Sequence, residues 1–295
     1  MARGLIKNRD NKGYLFILPY FLAMLTFQLY PIFYTFYLSM LKPVTLIKME
    51  FVGFDNYARL LTNPLFYTAI GNTWFIWLMN YVPQLIFALL LAVILTNPKI
   101  RARETFRTLF FLPNLVTAAS IGVLFAVFLD FKNGAFNHIL IELGIFSEPY
   151  EWIQDKMAMR MAVSLIQWWQ WFGYTMIIFM AGLSAISGDL YEAANIDGAS
   201  SSQVFFKVTL PLLKPTMLYV MVTSLIGGLQ IFDIPRVITN GRGGPDNALT
   251  TMVLYLYNQG FKNFNLGYAS ALAYALFVMI IIFSAISFKV IGKRD

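Results

Sequence analysis

Six stretches of the sequence are apolar over about 20 residues or more and carry no charge at the centre. They run roughly over 14–40, 67–96, 108–130, 158–184, 216–238 and 267–290. A helix needs ~20 mainly apolar residues to cross a bilayer, and the runs do not alternate in polarity as strands of a membrane barrel would. Because the chain is 58% hydrophobic and 13% charged, it is also too apolar for a soluble domain. The sequence therefore predicts an all-α polytopic membrane protein with six transmembrane helices.

The first apolar run is too long for a cleaved signal peptide, and no small-residue cleavage site follows a short apolar core. We therefore expect a short N-terminal segment at 1–13, followed by one six-helix transmembrane domain over 14–295. The absence of cysteine excludes disulfides, thiolate chemistry and cysteine-ligated metals.

The basic residues predict the orientation of the chain. With the N-terminus in the cytoplasm, 13 of the 22 lysines and arginines fall on the inner side, most clearly in the short loop 97–107. The outer side then holds equal numbers of basic and acidic residues, so the whole net charge of +7 lies inside. Anionic membrane lipid explains such a distribution, and nucleic acid is not an expected partner. We predict a multi-pass protein with both termini in the cytoplasm.

This orientation also places the loop 185–215 in the cytoplasm, where two short helices are expected. Ser187 can cap a helix of about ten residues, and Asp197-Gly198 can end it because glycine accepts a left-handed backbone. Ser200 can cap a second helix. From the residues alone, a plain surface connector is as good an explanation as a docking site.

Several motifs in this chain resemble those of one transporter family. Glu192-Ala193-Ala194, followed by Gly198 and then Leu210-Pro211, resembles the EAA loop in the membrane subunits of binding-protein-dependent ABC importers. FVGFDNYARLL at 51–61, RTLFFLPN at 107–114 and GGP at 243–245 resemble the carbohydrate branch of maltose and glycerol-phosphate permeases. The chain is thereby identified as a permease subunit of a sugar or oligosaccharide importer in the bacterial inner membrane.

The resemblance implies that the EAA loop is the site of coupling to a separate ATPase. The residues that it assigns to this contact are Tyr191, Glu192, Ala193, Ala194, Asp197 and Gly198. The sequence contains no GxxxxGK[ST] phosphate loop, so ATP and Mg would be bound by the partner ATPase and this chain would hold no cofactor.

The family also implies the remaining partners. These are a second homologous permease subunit, two cytoplasmic ATPase subunits, an extracytoplasmic solute-binding protein and the sugar. A heterodimer of permeases is expected, with a homodimer left open.

A candidate solute path lies in the fourth and fifth apolar runs. Gln167, Gln170, Trp171 and Tyr174 share one helical face, and amides with aromatic rings suit the hydroxyls and C–H faces of sugars. The fifth run adds Gly227 and Gln230. An interfacial tryptophan belt and glutamine-mediated helix packing remain alternatives.

Other polar residues of the spans have simpler interpretations. Asn72, Asn80 and Gln84 are expected to serve helix packing, and Asp233 is expected to form a surface ion pair with Arg236 rather than to meet solute.

An ion-coupled secondary carrier and a membrane enzyme are the two alternatives to an importer permease. An ion-coupled secondary carrier would need an ionisable residue in mid-membrane, and none of the six runs has one at its centre. A membrane enzyme would need a catalytic or metal-binding constellation, and one histidine without HExxH or GxSxG supplies none. We therefore expect no catalytic residue and no metal site.

Overall fold

The computed structural model describes residues 14, 16–45, 48–97 and 99–292, so the predicted cytoplasmic segment 1–13 lies outside the described residues. The described part is mainly helical, as predicted. Its helices are α1 (Phe16–Ser39), α2 (Asp55–Thr62), α3 (Pro64–Thr96), α4 (Arg103–Phe111), α5 (Ala118–Phe128), α6 (Ala135–Glu142), α7 (Lys156–Ser184), α8 (Gly188–Ile196), α9 (Ser201–Val204), α10 (Leu210–Leu212), α11 (Lys214–Leu229), α12 (Asp233–Ile238), α13 (Met252–Tyr257) and α14 (Leu266–Ile291).

The chain contains four to six candidate membrane spans. Three of them are the single helices α1, α3 and α14, and a fourth is the stretch Lys214–Ile238 that contains α11 and α12. Two further spans would each be a bent pair: Arg103–Leu115 with α5, at 88°, and α7 with α8, at 69°. The six apolar runs of the sequence thus correspond to four spans and two bent pairs.

The bend between α4 and α5 departs from the single span expected over 108–130. A 3₁₀ turn, Leu112–Leu115, follows α4, and Thr117 caps α5 by accepting a hydrogen bond from the backbone N–H of Ser120. Gly173 of α7 permits the close approach of α4, because a Cβ atom there would lie 1.9 Å from the carbonyl oxygen of Phe110. The apolar run therefore predicted a helical segment correctly, but it did not predict the sharp change in chain direction between α4 and α5.

The described residues form two compact units. The first consists of those within 14–62 and 256–275, and the second of those within 63–255 and 276–292. The first unit contains a two-stranded antiparallel ribbon, which the sequence did not predict, formed by β1 (Leu41–Pro43) and β2 (Met49–Phe51). The side chain of Asn56 fixes its start by donating hydrogen bonds to the carbonyl oxygens of Ser39 and Leu41, at 2.9 and 2.8 Å.

The second unit is built around α3 and α7, which pack along each other. Both helices begin at a side-chain cap: Asn63 accepts from the N–H of Leu65, and Asp155 accepts from the N–H of Ala158. The apolar core near their first halves consists of Ile76, Ile121, Met159, Val163, Ile166, Ile231, Ile234, Ile238 and Leu249.

Helix α3 exposes apolar side chains and turns several polar side chains toward the protein interior. Ile86 and Leu90 are more than half exposed, whereas Asn80 and Gln84 are buried. In membrane helices the apolar face meets lipid while polar groups turn to the protein interior. The exposure pattern therefore agrees with a bilayer environment.

Candidate functional site

A cavity of about 340 Å³ opens within the second unit, between α3, α7, α11 and the start of α12. Its volume falls within the range typical of small-molecule sites. The lining consists of Asn80, Gln84, Ala118, Gln167, Gln170, Trp171, Tyr174, Thr175, Ile178, Val220, Thr223, Ser224, Gly227, Gly228, Gln230, Ile231, Phe232, Asp233 and Ile234.

All six residues that the sequence assigned to the solute path line this one cavity. Gln167, Gln170, Trp171 and Tyr174 reach it from α7, whereas Gly227 and Gln230 reach it from α11 and the residue after it. Trp171 is 41% exposed, and its ring packs edge-on against that of Tyr174 at 5.7 Å. The helical spacing of three and four residues therefore identified the correct face of α7. The role of these residues in solute binding stays a prediction.

The two tryptophans between Gln167 and Gln170 in the sequence pack outside the cavity. Trp168 stacks on Phe172 at 5.6 Å, and Trp169 packs against Phe125 of α5 at 5.9 Å. Neither is part of the cavity lining.

The adjacent glycines of α11 serve different purposes. A Cβ atom built on Gly227 would meet nothing within 4 Å, so this position faces open space. A Cβ atom on Gly228 would lie 1.9 Å from Cδ1 of Trp77, so this position allows the indole of α3 to pack against α11. The indole Nε1 of Trp77 also donates to the carbonyl oxygen of Ser224, at 3.0 Å. Both glycines line the cavity, but Gly227 leaves open space there whereas Gly228 allows close helix packing.

Several buried polar groups of the lining hold the cavity wall together. The amide Nε2 of Gln84 donates to the hydroxyl of Thr175 at 2.7 Å, which links α3 to α7. The amide Nε2 of Gln170 donates to the carbonyl oxygen of Val116 at 3.2 Å. The packing role expected for Gln84 is thus confirmed, but Gln84 and Asn80 also line the cavity. Asn80 and Gln84 are four residues apart and so lie on one face of α3, and this spacing could have indicated that both line the same cavity.

The interpretation of Asp233 as half of a surface ion pair was wrong. The chain leaves its helix after Leu229 and begins α12 at Asp233, which brings this carboxylate into the cavity lining. The guanidinium of Arg236 lies instead over the ring of Phe232, at 5.3 Å. The local signal that could have indicated this break is Asp233 followed by Pro235, since both residues favour the first turn of a new helix.

A buried polar cluster fixes the loop that follows α12. Asn72 donates from Nδ2 to the carbonyl oxygens of Asn247 and Thr250, at 2.6 and 3.0 Å, and its Oδ1 accepts a hydrogen bond from Arg160. The guanidinium Nε of Arg160 also donates to the carbonyl oxygen of Ala248 at 3.2 Å. Asn72 therefore anchors a loop, in addition to the helix packing expected from the sequence.

The second candidate site is the segment 185–215, where the structure confirms both expected short helices. α8 is capped by Ser187 and is followed by Gly198 at φ +73°, a left-handed conformation suited to glycine. α9 begins with a capping box between Ser200 and Gln203. Helix α8 is therefore a firmly bounded element.

The residues of α8 that the resemblance assigned to ATPase contact are largely solvent-accessible. Glu192, Ala193, Asp197 and Gly198 are exposed, whereas Tyr191 and Ala194 are half-buried. The hydroxyl of Thr209 donates to that of Tyr191, at 3.4 Å. Among the described residues, no group of three or more histidine, cysteine, aspartate or glutamate side chains could hold a metal ion.

Comparison with known proteins gives consistent matches over nearly the whole chain. The model of the family "binding-protein-dependent transport system inner membrane component" matches residues 13–294. The lactose transport system permease protein LacF of Rhizobium radiobacter is 35% identical over 286 residues, which cover 97% of this chain and 95% of the relative. The arabinooligosaccharides transport system permease protein AraP of Bacillus subtilis is 34% identical over 292 residues, which cover 99% of this chain and 92% of the relative.

Solved structures show the same fold. A chain from the bacterial alginate ABC transporter, crystallised with an alginate pentasaccharide-bound periplasmic protein, superposes with a TM-score of 0.81 at 22% identity. The match covers 95% of this chain and 93% of that one.

Proposed function

Because the chain belongs to the family of inner membrane components of binding-protein-dependent transport systems, we propose that its cavity carries the sugar across the membrane. The chain is a permease subunit of a sugar importer and a transport subunit rather than an enzyme. We propose further that its residues from 14 onward form one permease domain with six spans, in which α7 crosses the membrane and α8 lies in the cytoplasm. We also propose that the described cavity is half of a translocation path that opens alternately to each side.

One observation carries the proposal for the solute path. The six residues that the sequence assigns to the solute path line a single cavity, although they come from two different segments of the chain. Amide groups can bind sugar hydroxyls, and the ring of Trp171 can pack against a C–H face. A lactose permease and an arabinooligosaccharide permease among the relatives support the same class of solute.

For the segment 185–215 we propose the role of an EAA loop. The exposed Glu192 would face a basic group of a cytoplasmic ATPase, and the small side chains of Ala193 and Ala194 would allow close approach. The ATPase would bind ATP and Mg, and its closing motion would pass through α8 to α7. The rigid boundaries of α8, with a cap at Ser187 and a left-handed Gly198, support such a transmission of movement.

The proposed assembly consists of this chain, a second homologous permease as a heterodimeric partner, two ATPase subunits and an extracytoplasmic solute-binding protein. The complex would lie in the bacterial inner membrane with both termini of this chain in the cytoplasm. The 13 basic residues assigned to the inner side support this orientation.

Reconstitution tests the solute path. The complex in proteoliposomes should take up a saccharide only with ATP and the binding protein. Substituting Gln167→Ala in the cavity should lower uptake several-fold, whereas Gln154→Ala, at an exposed position ahead of α7, should leave uptake unchanged. Equal uptake by the two variants would contradict the proposed path.

Charge reversal tests the docking role of α8. We expect Glu192→Lys and Gly198→Asp to leave the protein in the membrane but to release or uncouple the ATPase. Glu142→Lys, an exposed reversal on α6, is the matched control. The readouts are co-purification of the ATPase and saccharide-stimulated ATP hydrolysis, and normal values for both α8 variants would refute the role.

A further inference from the structure

Two buried side chains of the cavity have carbonyl oxygens that lack a hydrogen-bond partner. Asn80 is 6% exposed and Gln170 is 4% exposed, and both line the cavity. Oδ1 of Asn80 and Oε1 of Gln170 are buried without a partner. Buried polar atoms in proteins are nearly always paired, so two unpaired acceptors beside one cavity call for donors from outside the chain, either water or solute.

Donor groups at three lining positions are, by contrast, already used within the protein. Nε2 of Gln84 donates to Thr175, and Nε2 of Gln170 donates to the backbone of Val116. The hydroxyl of Thr223 donates to the carbonyl oxygen of Tyr219, at 2.8 Å. Gln84 and Thr223 therefore have only acceptor atoms left for a solute, and Gln170 keeps a single N–H donor.

The charged side chains of the cavity also bear on the class of solute. Asp233 is exposed and contributes a carboxylate to the lining, and the lining residues include no lysine, arginine or histidine. A negative group in a partly enclosed site lowers the local concentration of anions and raises that of cations. Nothing in this half of the path neutralises a carboxylate on the solute.

From these three observations we propose that the cavity selects saccharides rich in hydroxyl or amino groups and disfavours those that carry carboxylate, sulfate or phosphate. This inference rests on the proposed function of the cavity as the sugar path. It separates this chain from its structural neighbour, whose transporter imports the acidic polysaccharide alginate. Asp233 is the residue that we assign to the rejection of anions, and Asn80 and Gln170 are those that accept hydrogen bonds from the solute.

The absence of cysteine in the chain allows the charge of the cavity to be measured directly. A Gln167→Cys variant in the assembled importer is treated with two methanethiosulfonates of similar size, one with an ammonium tail and one with a sulfonate tail. The reaction is monitored through the intact mass of this chain. The rate for each reagent is divided by the rate of the same reagent with a small free thiol. Gln167 and Asp233 line the same cavity, and a unit charge within about 8 Å of the thiol predicts a preference of about fivefold or more for the cationic reagent even at the dielectric constant of water.

A second variant tests whether the carboxylate of Asp233 causes this preference. With Asp233→Asn added to Gln167→Cys, the rate ratio should fall toward one. A faster reaction with the sulfonate reagent in the parent variant, or an unchanged ratio after Asp233→Asn, would overturn the inference.

Uptake by the complete importer tests the solute class. Proteoliposomes with the binding protein are offered a pool of neutral oligosaccharides and a pool of uronic-acid oligosaccharides of the same lengths, and imported sugars are identified by mass. ATP-dependent import from the neutral pool alone supports the inference. Import of uronic-acid chains overturns it while leaving the proposed function intact, whereas import from neither pool contradicts the proposed function and removes the inference with it.

Discussion

The neighbouring glycines of α11 offer a matched pair of substitutions that differ by one residue. Gly228→Ala should destabilise the protein, whereas Gly227→Ala should be neutral or slightly stabilising. The new Cβ atom at 228 would lie 1.9 Å from Cδ1 and 2.7 Å from Nε1 of Trp77, but the same atom at 227 would meet open space. Both positions lie inside the same helix, so their intrinsic helix preference cancels in the comparison.

The destabilisation expected for Gly228→Ala follows from the displacement of the Trp77 side chain and the loss of its hydrogen bond. Carbon atoms in contact lie ~3.5–4.0 Å apart, so the indole has to move by about 1.5 Å or more. Trp77 is 2% exposed and stacks on Tyr81, and overpacking of such a site costs about 1–3 kcal/mol. Loss of the hydrogen bond to Ser224 adds about 1 kcal/mol, and replacing a helical glycine by alanine returns about as much. We therefore expect Gly228→Ala to cost ~1–3 kcal/mol.

The assay is the free energy of unfolding in mixed micelles, titrated with SDS and followed by tryptophan fluorescence. Because Gly227→Ala should gain ~0.5–1 kcal/mol, the two variants should differ by about 2–4 kcal/mol. A difference below about 0.5 kcal/mol would show that α11 and Trp77 are not packed as described.

Three further predictions concern the polar contacts and the end of α8. Arg160→Met should speed hydrogen exchange of the loop 240–251, because the carbonyl oxygen of Ala248 and Oδ1 of Asn72 lose their donor, and Arg160→Lys should restore part of the protection. A double-mutant cycle of Gln84→Leu with Thr175→Val should show a coupling of about 0.5–1.5 kcal/mol in the unfolding titration; additive effects would mean that their 2.7 Å hydrogen bond is not formed. Gly198→Ala should cost about 1 kcal/mol and Gly198→Asn less, because asparagine tolerates the left-handed backbone better; thermal melts of the two variants that coincide would argue against a φ of +73°.

The features that local sequence determines were predicted well. Apolar runs of membrane length gave the helical class, and capping residues gave both ends of α8 and the start of α9. The spacing of Gln167, Gln170, Trp171 and Tyr174 gave the face of α7 that lines the cavity. Each of these depends on residues within about four positions of one another, where helix periodicity and capping act.

The features that were missed depend on contacts between distant parts of the chain. Asp233 enters the cavity because the helix ends after Leu229, and the bend after α4 is packed against Gly173, some 60 residues further on. Asn72 and Arg160 look like isolated polar residues in the sequence, yet they meet across 88 positions to hold one loop.

The amino-acid sequence by itself determined that the chain enters a membrane, which helical faces are polar, and where the short helices of 185–215 begin and end, because hydropathy and capping are local properties. Only the tertiary structure decided which polar residues share a cavity, which of two adjacent glycines faces open space, and that Asp233 is part of the cavity lining. Those properties arise from the packing of one helix against another, and no single segment of the chain contains both partners.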